Sequence, residues 1–148
     1  MLKKGSTILS KNLFILTIGG GVAFWLANFG ISRTPIASEY RAALSISYLP
    51  MLVESLIAGL IIGFFVSYFL LRSFDKIPTK DPILKSVILT FIVLIIVTIL
   101  IGGPSSFLAT GNVLRYFLIG TLFNVIRIVA LGIGIGYLYK RLNGEVKK

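Results

Sequence analysis

Four long apolar runs alternate with short polar segments along the chain. The runs cover residues 12–31, 49–71, 83–103 and 116–139. About twenty apolar residues in a helix span the roughly 30 Å hydrocarbon core of a bilayer, and none of the runs shows the period-two alternation of a barrel strand. Because only a helix satisfies its own backbone groups in lipid, the pattern predicts an all-α integral membrane protein with a four-helix transmembrane bundle.

The connection between the first two runs predicts a further, short helix. Thr34 and Pro35 are residue types that favour an N-cap and the first helical position. After them, apolar side chains recur at helical spacing and the charged ones fall mostly elsewhere; the recurring residues are Ile36, Tyr40, Ala43, Leu44 and Tyr48. This pattern is typical of an amphipathic helix on the outer membrane surface, which acts either as a strap across the bundle or as a lid or docking face.

The other two connections are expected to be loops. Residues 72–82 include two prolines, which stop helix continuation, so the second and third runs are expected to be antiparallel neighbours. The last connection has turn-forming residues at both ends, 102–104 and 110–112, and Asn112 is a candidate cap for the fourth helix.

Composition supports the membrane prediction. The chain has 148 residues, of which 56% are hydrophobic and 14% charged, whereas about a quarter of residues are charged in ordinary soluble domains. Its mean hydropathy is +0.96, which a soluble domain of this length cannot bury. Residues 1–148 are therefore expected to form a single transmembrane domain, in which the first run remains as a span and is not cleaved as a signal peptide.

The net charge of +10 predicts the orientation. Eleven Lys and Arg residues lie on one side, in the N-terminal tail, the second connection together with Lys85 at the edge of the third run, and the C-terminal tail. Three lie on the opposite side: Arg33, Arg41 and Arg115. The positive-inside rule then predicts a multi-pass cell-membrane protein with both termini in the cytoplasm. Juxtamembrane groups of this kind favour anionic lipid over nucleic acid as the partner.

The missing residue types limit the chemistry. The chain has no Cys and no His, so a thiolate nucleophile, a zinc-thiolate site and an imidazole ligand are excluded. Of the five acidic residues only Glu54 lies inside an apolar run, which leaves no pair of carboxylates for catalysis or for a metal. We therefore expect a protein that is not an enzyme and has neither a metal nor a cofactor.

Small residues recur on one face of two of the predicted helices. They are Ser55, Gly59, Gly63 and Ser67 in the second run and Gly132 and Gly136 in the fourth. Such stripes let helices approach closely in lipid. They are expected either to pack the helices of one chain or to form the seam of an oligomer.

Glu54 and Arg127 are the two charges well inside the predicted spans, whereas Lys85 lies at the edge of the third. A charge near the middle of a spanning helix costs about 2.5–3.5 kcal/mol on insertion scales, so each needs a partner, water or a task. Asn124 lies three residues before Arg127, on the same helix face. One hypothesis is an intramembrane ion pair of Glu54 and Arg127 with Asn124. The others are a transport site in which Glu54 binds a proton or cation, and an unpaired Glu54 that reaches the interface.

These features predict a small, non-enzymatic multipass membrane protein, a structural or accessory subunit of a homo-oligomer or a larger membrane complex. Its expected partners are the lipid bilayer and copies of itself or other membrane subunits. The alternative is a small channel or proton-coupled transporter that uses Glu54, Arg127 and Asn124. A third alternative is a lipid-modifying membrane enzyme.

Overall fold

The computed structural model describes residues 2–101 and 111–144, and these residues are almost entirely helical. Its five α-helices are α1 (Leu2–Ser32), α2 (Pro35–Ala43), α3 (Tyr48–Ser73), α4 (Pro82–Ile101) and α5 (Val113–Gly144). A short 3-10 helix, Phe74–Lys76, follows α3. The four predicted apolar runs lie within α1, α3, α4 and α5. Residues 102 and 103 of the third run, and most of the last connection, lie outside the described residues.

Three of the helical segments are long and apolar enough to cross a membrane. They are Thr7–Ser32, Tyr48–Lys76 and Val113–Gly144. In the most apolar part of each segment, at most a third of the residues are buried inside the protein. The apolar stretch of α4, Pro82–Val97, is shorter. Large side chains such as Leu100 and Leu114 point outward and are at least 70% exposed. Long apolar helices with an apolar exterior are the mark of a helical membrane protein.

The long helices are arranged so that α3 and α5 lie diagonally opposite each other. The helix α1 packs extensively against both α3 and α5, and α4 packs against α5 and, less extensively, against α3. Direct contact between α3 and α5 is slight. The buried core between the helices contains Leu16, Phe24, Val66, Leu70, Val93, Ile128, Leu131 and Ile135.

The small-residue stripes are used for close packing within one chain. A methyl group added to Gly63 would lie 3.0 Å from the carbonyl oxygen of Thr17 in α1, and one added to Gly59 would lie 3.1 Å from the carbonyl oxygen of Gly21. Ser55 and Ser67 are buried on the same face of α3.

In α5 the glycines of the second stripe allow α4 to pack closely. A methyl group added to Gly132 would lie 2.8 Å from Cα of Val87, and one added to Gly136 would overlap Cα of Ile83. Both stripes therefore place backbone against backbone inside the bundle, which only small residues allow.

The short helix α2 begins as predicted. The Thr34 side chain accepts a hydrogen bond from the backbone N–H of Ala37 at 3.2 Å, and Pro35 is the first helical residue. Ala37 is buried with Ile31 of α1 and Phe123 of α5. A salt bridge of 2.8 Å between Arg115 and Glu39 adds a second contact between α2 and α5. The helix therefore lies across one end of the bundle, which we call the α2 end.

Trp25 joins α1 to α3 near the α2 end. Its indole Nε1 donates a hydrogen bond to the carbonyl oxygen of Leu52 at 3.1 Å. The ring also stacks on Phe29, with 5.8 Å between the ring centroids. This bond fixes the position of α1 against the first turns of α3.

Candidate functional site

Two adjoining cavities lie between the helices at the α2 end. Four residues line both cavities: Asn28, Met51, Asn124 and Arg127. The first cavity has a volume of about 160 Å³ and extends toward α2. The second has a volume of about 290 Å³ and extends along α3 toward Ile62 and Leu94. They occupy the space that the slight contact between α3 and α5 leaves open.

Arg127 of α5 is the charged residue common to both cavities. Its Nη1 donates a hydrogen bond to Oδ1 of Asn124 at 3.2 Å, so the i, i+3 spacing that the sequence singled out places these two groups together. Its Nε is buried and has no hydrogen-bond partner in the part of the chain that the structure describes. A buried guanidinium N–H without a partner is costly, and here it lies beside a cavity that a ligand or water can fill.

Asn28 of α1 is a site residue that sequence reasoning missed. Its side chain is 1% exposed, and its Nδ2 has no hydrogen-bond partner among the described residues. A signal was present, because Asn28 is a strongly polar side chain inside the first apolar run, which carries no charge. Polar side chains in spanning helices generally face the interior or a cavity.

Glu54 of α3 lines the second cavity only, where it is exposed. It shares that cavity with Arg127, but the two side chains do not form a salt bridge. Within the described ranges, the one salt bridge is that between Arg115 and Glu39. The reason is geometric. Glu54 and Arg127 belong to the two diagonally opposed helices, and the second cavity lies between them.

The α2 side of the first cavity adds a second cation and a phenol. Arg41 lines the cavity, donates from Nη1 to the carbonyl oxygen of Ser32 at 3.1 Å, and lies over the ring of Tyr48 at 5.1 Å. Tyr40 packs edge-on against Phe123, with 5.6 Å between the ring centroids. Burial raises the pKa of the Tyr40 phenol, and the positive charge of Arg127 acts in the opposite direction by lowering it.

The site is rich in hydrogen-bond donors and poor in metal-binding groups. Within residues 2–101 and 111–144 no group of three or more His, Cys, Asp or Glu side chains could hold a metal ion. Two guanidinium groups, two amides and one carboxylate can instead bind a polar or charged solute. Charges that line a cavity between spanning helices are typical of substrate or ion pathways.

Fold and site together define a helical membrane protein with an arginine-containing cavity at one end of its bundle. Comparison of the chain with protein-family models, with curated proteins and with solved structures gives no match. The cavity itself therefore provides the evidence for the function.

Proposed function

We propose that α1, α3, α4 and α5 all cross the cell membrane and that both termini are cytoplasmic. Support comes from the 20-residue length of α4, since about twenty residues suffice to span. The distribution of Lys and Arg supports the orientation. With this topology α2 is an amphipathic helix on the outer face, and both cavities lie in the outer half of the bundle.

We further propose that the protein is a small transporter of a polar solute, coupled to protons through Glu54. The observation that carries this proposal is that Glu54 and Arg127, the two charges away from the edges of the apolar runs, line one cavity without forming a salt bridge. A structural ion pair would be closed, with the carboxylate and the guanidinium in direct contact. An open pair leaves both groups available to a solute or a proton.

Coupling between proton uptake and solute binding follows from the cavity that Glu54 and Arg127 share. An ionised Glu54 attracts the guanidinium of Arg127, and a protonated Glu54 does not, because the Coulomb term vanishes when the carboxyl is neutral. Uptake of a proton by Glu54 therefore removes an attraction that competes with a solute for Arg127.

The accessory-subunit function has less support. The small-residue stripes are one of the sequence features that favour it. Their glycines lie against α1 or α4 of the same chain: Gly59, Gly63, Gly132 and Gly136. They need no second subunit to explain their presence. We therefore place the transporter first and retain the subunit as the alternative outcome of the test.

Flux measurements test the proposal. Purified protein is reconstituted into liposomes with an entrapped pH-sensitive dye, and inorganic phosphate, glutamate and glycine are offered one at a time across a proton gradient. We expect at least one solute to collapse the gradient faster than in empty liposomes, and Glu54→Gln to abolish that acceleration. The matched control is Glu39→Gln, which neutralises an exposed carboxylate paired with Arg115 and is expected to behave as the wild type.

Two results would overturn the proposal. One is a wild type that does not differ from empty liposomes with any of the three solutes. The other is a Glu54→Gln variant that transports as fast as the wild type. Protein partners that co-purify in a gentle detergent, together with absent flux, would point to the accessory subunit.

A further inference from the structure

The two cavities differ in the net charge of the side chains that line them, which is positive in the first and balanced in the second. Both contain Arg127, but the first cavity adds Arg41, and its described lining residues include no Asp or Glu. The second cavity adds Glu54 instead. The first cavity therefore carries two guanidinium groups with no carboxylate to balance them.

We propose that the first cavity is a binding site for a small oxyanion, a phosphate or carboxylate group held by Arg127, Arg41 and Asn28. This inference deepens the proposed transporter, since it names the class of solute, and it rests on that function only in treating the cavity as the solute site. Binding itself can be measured without flux.

The donors of the cavity match this ligand. A guanidinium presents five N–H donors in a planar fork that fits two oxygens of a carboxylate or phosphate. Arg127 directs Nη1 to Asn124, and its buried Nε has no partner among the described residues. Arg41 directs Nη1 to the Ser32 carbonyl. Each guanidinium therefore retains donors beyond its observed bond.

Asn28 gives an independent indication of a ligand. Asn28 lines the cavity, and its amide Nδ2 is buried and has no hydrogen-bond partner in the described part of the chain. Buried donors are nearly always satisfied in native proteins. An oxyanion oxygen in the first cavity would accept from this amide and from Arg127 at the same time.

The size of the cavity limits the ligand. A volume of about 160 Å³ is close to the roughly 150 Å³ of engineered cavities that admit benzene, and far above the ~10–15 Å³ that one water needs. Inorganic phosphate, a small carboxylate or the phosphate of one lipid headgroup fits this volume.

Glu54 is expected to oppose the anion. It lies in the adjoining cavity and shares Arg127 with the proposed site. Its negative charge attracts Arg127 and repels an anion held by the same guanidinium. Neutralising Glu54 should therefore strengthen binding, which a merely structural role for the residue does not predict.

Calorimetric titration of the full-length protein in a neutral detergent tests the site, with inorganic phosphate and acetate as probes. Arg127→Gln should weaken binding by roughly ten- to a hundredfold, the range for a lost hydrogen bond to a charged group, and Arg41→Gln should weaken it in the same direction. Glu54→Gln should strengthen it roughly two- to tenfold. The control is Arg33→Gln, an exposed arginine over the Phe29 ring that lines neither cavity, and we expect unchanged binding.

A second arm distinguishes a free solute from a lipid headgroup. The thermal stability of the protein is measured in nanodiscs of phosphatidylcholine with and without phosphatidylglycerol. Binding of phosphate or acetate in detergent supports a solute site. Stabilisation by phosphatidylglycerol that is lost in both Arg127→Gln and Arg41→Gln, but not in Arg33→Gln, supports a headgroup site.

The inference is overturned if neither probe binds and phosphatidylglycerol has no arginine-dependent effect. It is also overturned if Arg41→Gln, which changes a residue outside the long helices, binds as tightly as the wild type. Anion binding without flux would leave this site in place and remove the transporter. Flux of glycine, with no binding of phosphate, acetate or phosphatidylglycerol, would leave the transporter in place and remove this site.

Discussion

Lys85 stabilises the end of α3 although it belongs to α4. Its side chain is 4% exposed, and its Nζ donates to the carbonyl oxygen of Phe74. The same ammonium lies 3.7 Å from the centroid of the Phe74 ring, which stacks on Tyr139 of α5. One cation thus satisfies a helix-end carbonyl and adds a cation–π contact.

We predict that Lys85→Met destabilises the protein by roughly 1–3 kcal/mol, because a hydrogen bond to a charged group is lost and the Phe74 carbonyl is left without its donor. Thermal unfolding in one detergent measures the difference. The matched control is Lys80→Met in the connection just before α4, an exposed residue for which an effect within about 0.5 kcal/mol is expected. Equal melting temperatures for the two variants would contradict this role of Lys85.

The residue scale also shows the limit of what the charges in the sequence predict. Arg127 and Glu54 stood out because charge in an apolar run is costly, and the structure places both at one cavity. The sequence assigned Lys85 only to the edge of a span. Burial of Lys85 depends on the path of residues 72–82, which hydropathy does not report.

At the scale of helices, the glycines of α5 set its distance from α4. A methyl group at Gly136 would overlap Cα of Ile83 and lie 2.9 Å from the carbonyl oxygen of Pro82. Both are backbone atoms, so the overlap cannot be relieved by turning a side chain. The two helices would have to separate.

We predict that Gly136→Ala destabilises the protein by about 1–3 kcal/mol, the usual cost of overpacking. The control is Gly30→Ala in α1, where an added methyl meets nothing within 4 Å and the higher helix propensity of Ala favours stability by up to ~1 kcal/mol. Unfolding in mixed detergent micelles compares them. If Gly136→Ala is as stable as Gly30→Ala, the close approach is not what holds α4 and α5 together.

Helix positions were more predictable from the sequence than helix neighbours. Four apolar runs predict long helices because length and apolar content are local properties, and Thr34 predicts the start of α2 through a local hydrogen bond. Which helices lie side by side is not local. The hypothesis of a Glu54–Arg127 pair presumed direct contact of α3 with α5, whereas these helices are diagonal in the bundle.

For the molecule as a whole, the number of membrane crossings is the property most open to test. Three helical segments are long and apolar enough by themselves, and α4 decides whether the number is three or four. An odd number of crossings would put the two termini on opposite sides. The side of the membrane on which each terminus lies therefore reports the number of crossings.

We predict that a single cysteine at Ser38 is labelled by an impermeant maleimide in intact cells, and that cysteines at Ser10, Thr79 and Asn143 are labelled only after permeabilisation. The chain has no cysteine of its own, so each variant reports one position. Labelling of Asn143→Cys from outside would show that α4 does not cross. Labelling of Ser10→Cys from outside would contradict cytoplasmic termini.

The position of α1 between α3 and α5 also has a consequence for biosynthesis. Chains fold from the N-terminus as they are synthesised, so α1 and α3 can pair, through Trp25 and the glycine stripe of α3, before α5 exists. Asn28 and Glu54 are then already in place when Arg127 arrives with the last helix. Arg127 therefore meets polar side chains when α5 inserts, which lowers the free-energy cost of placing its charge in the membrane.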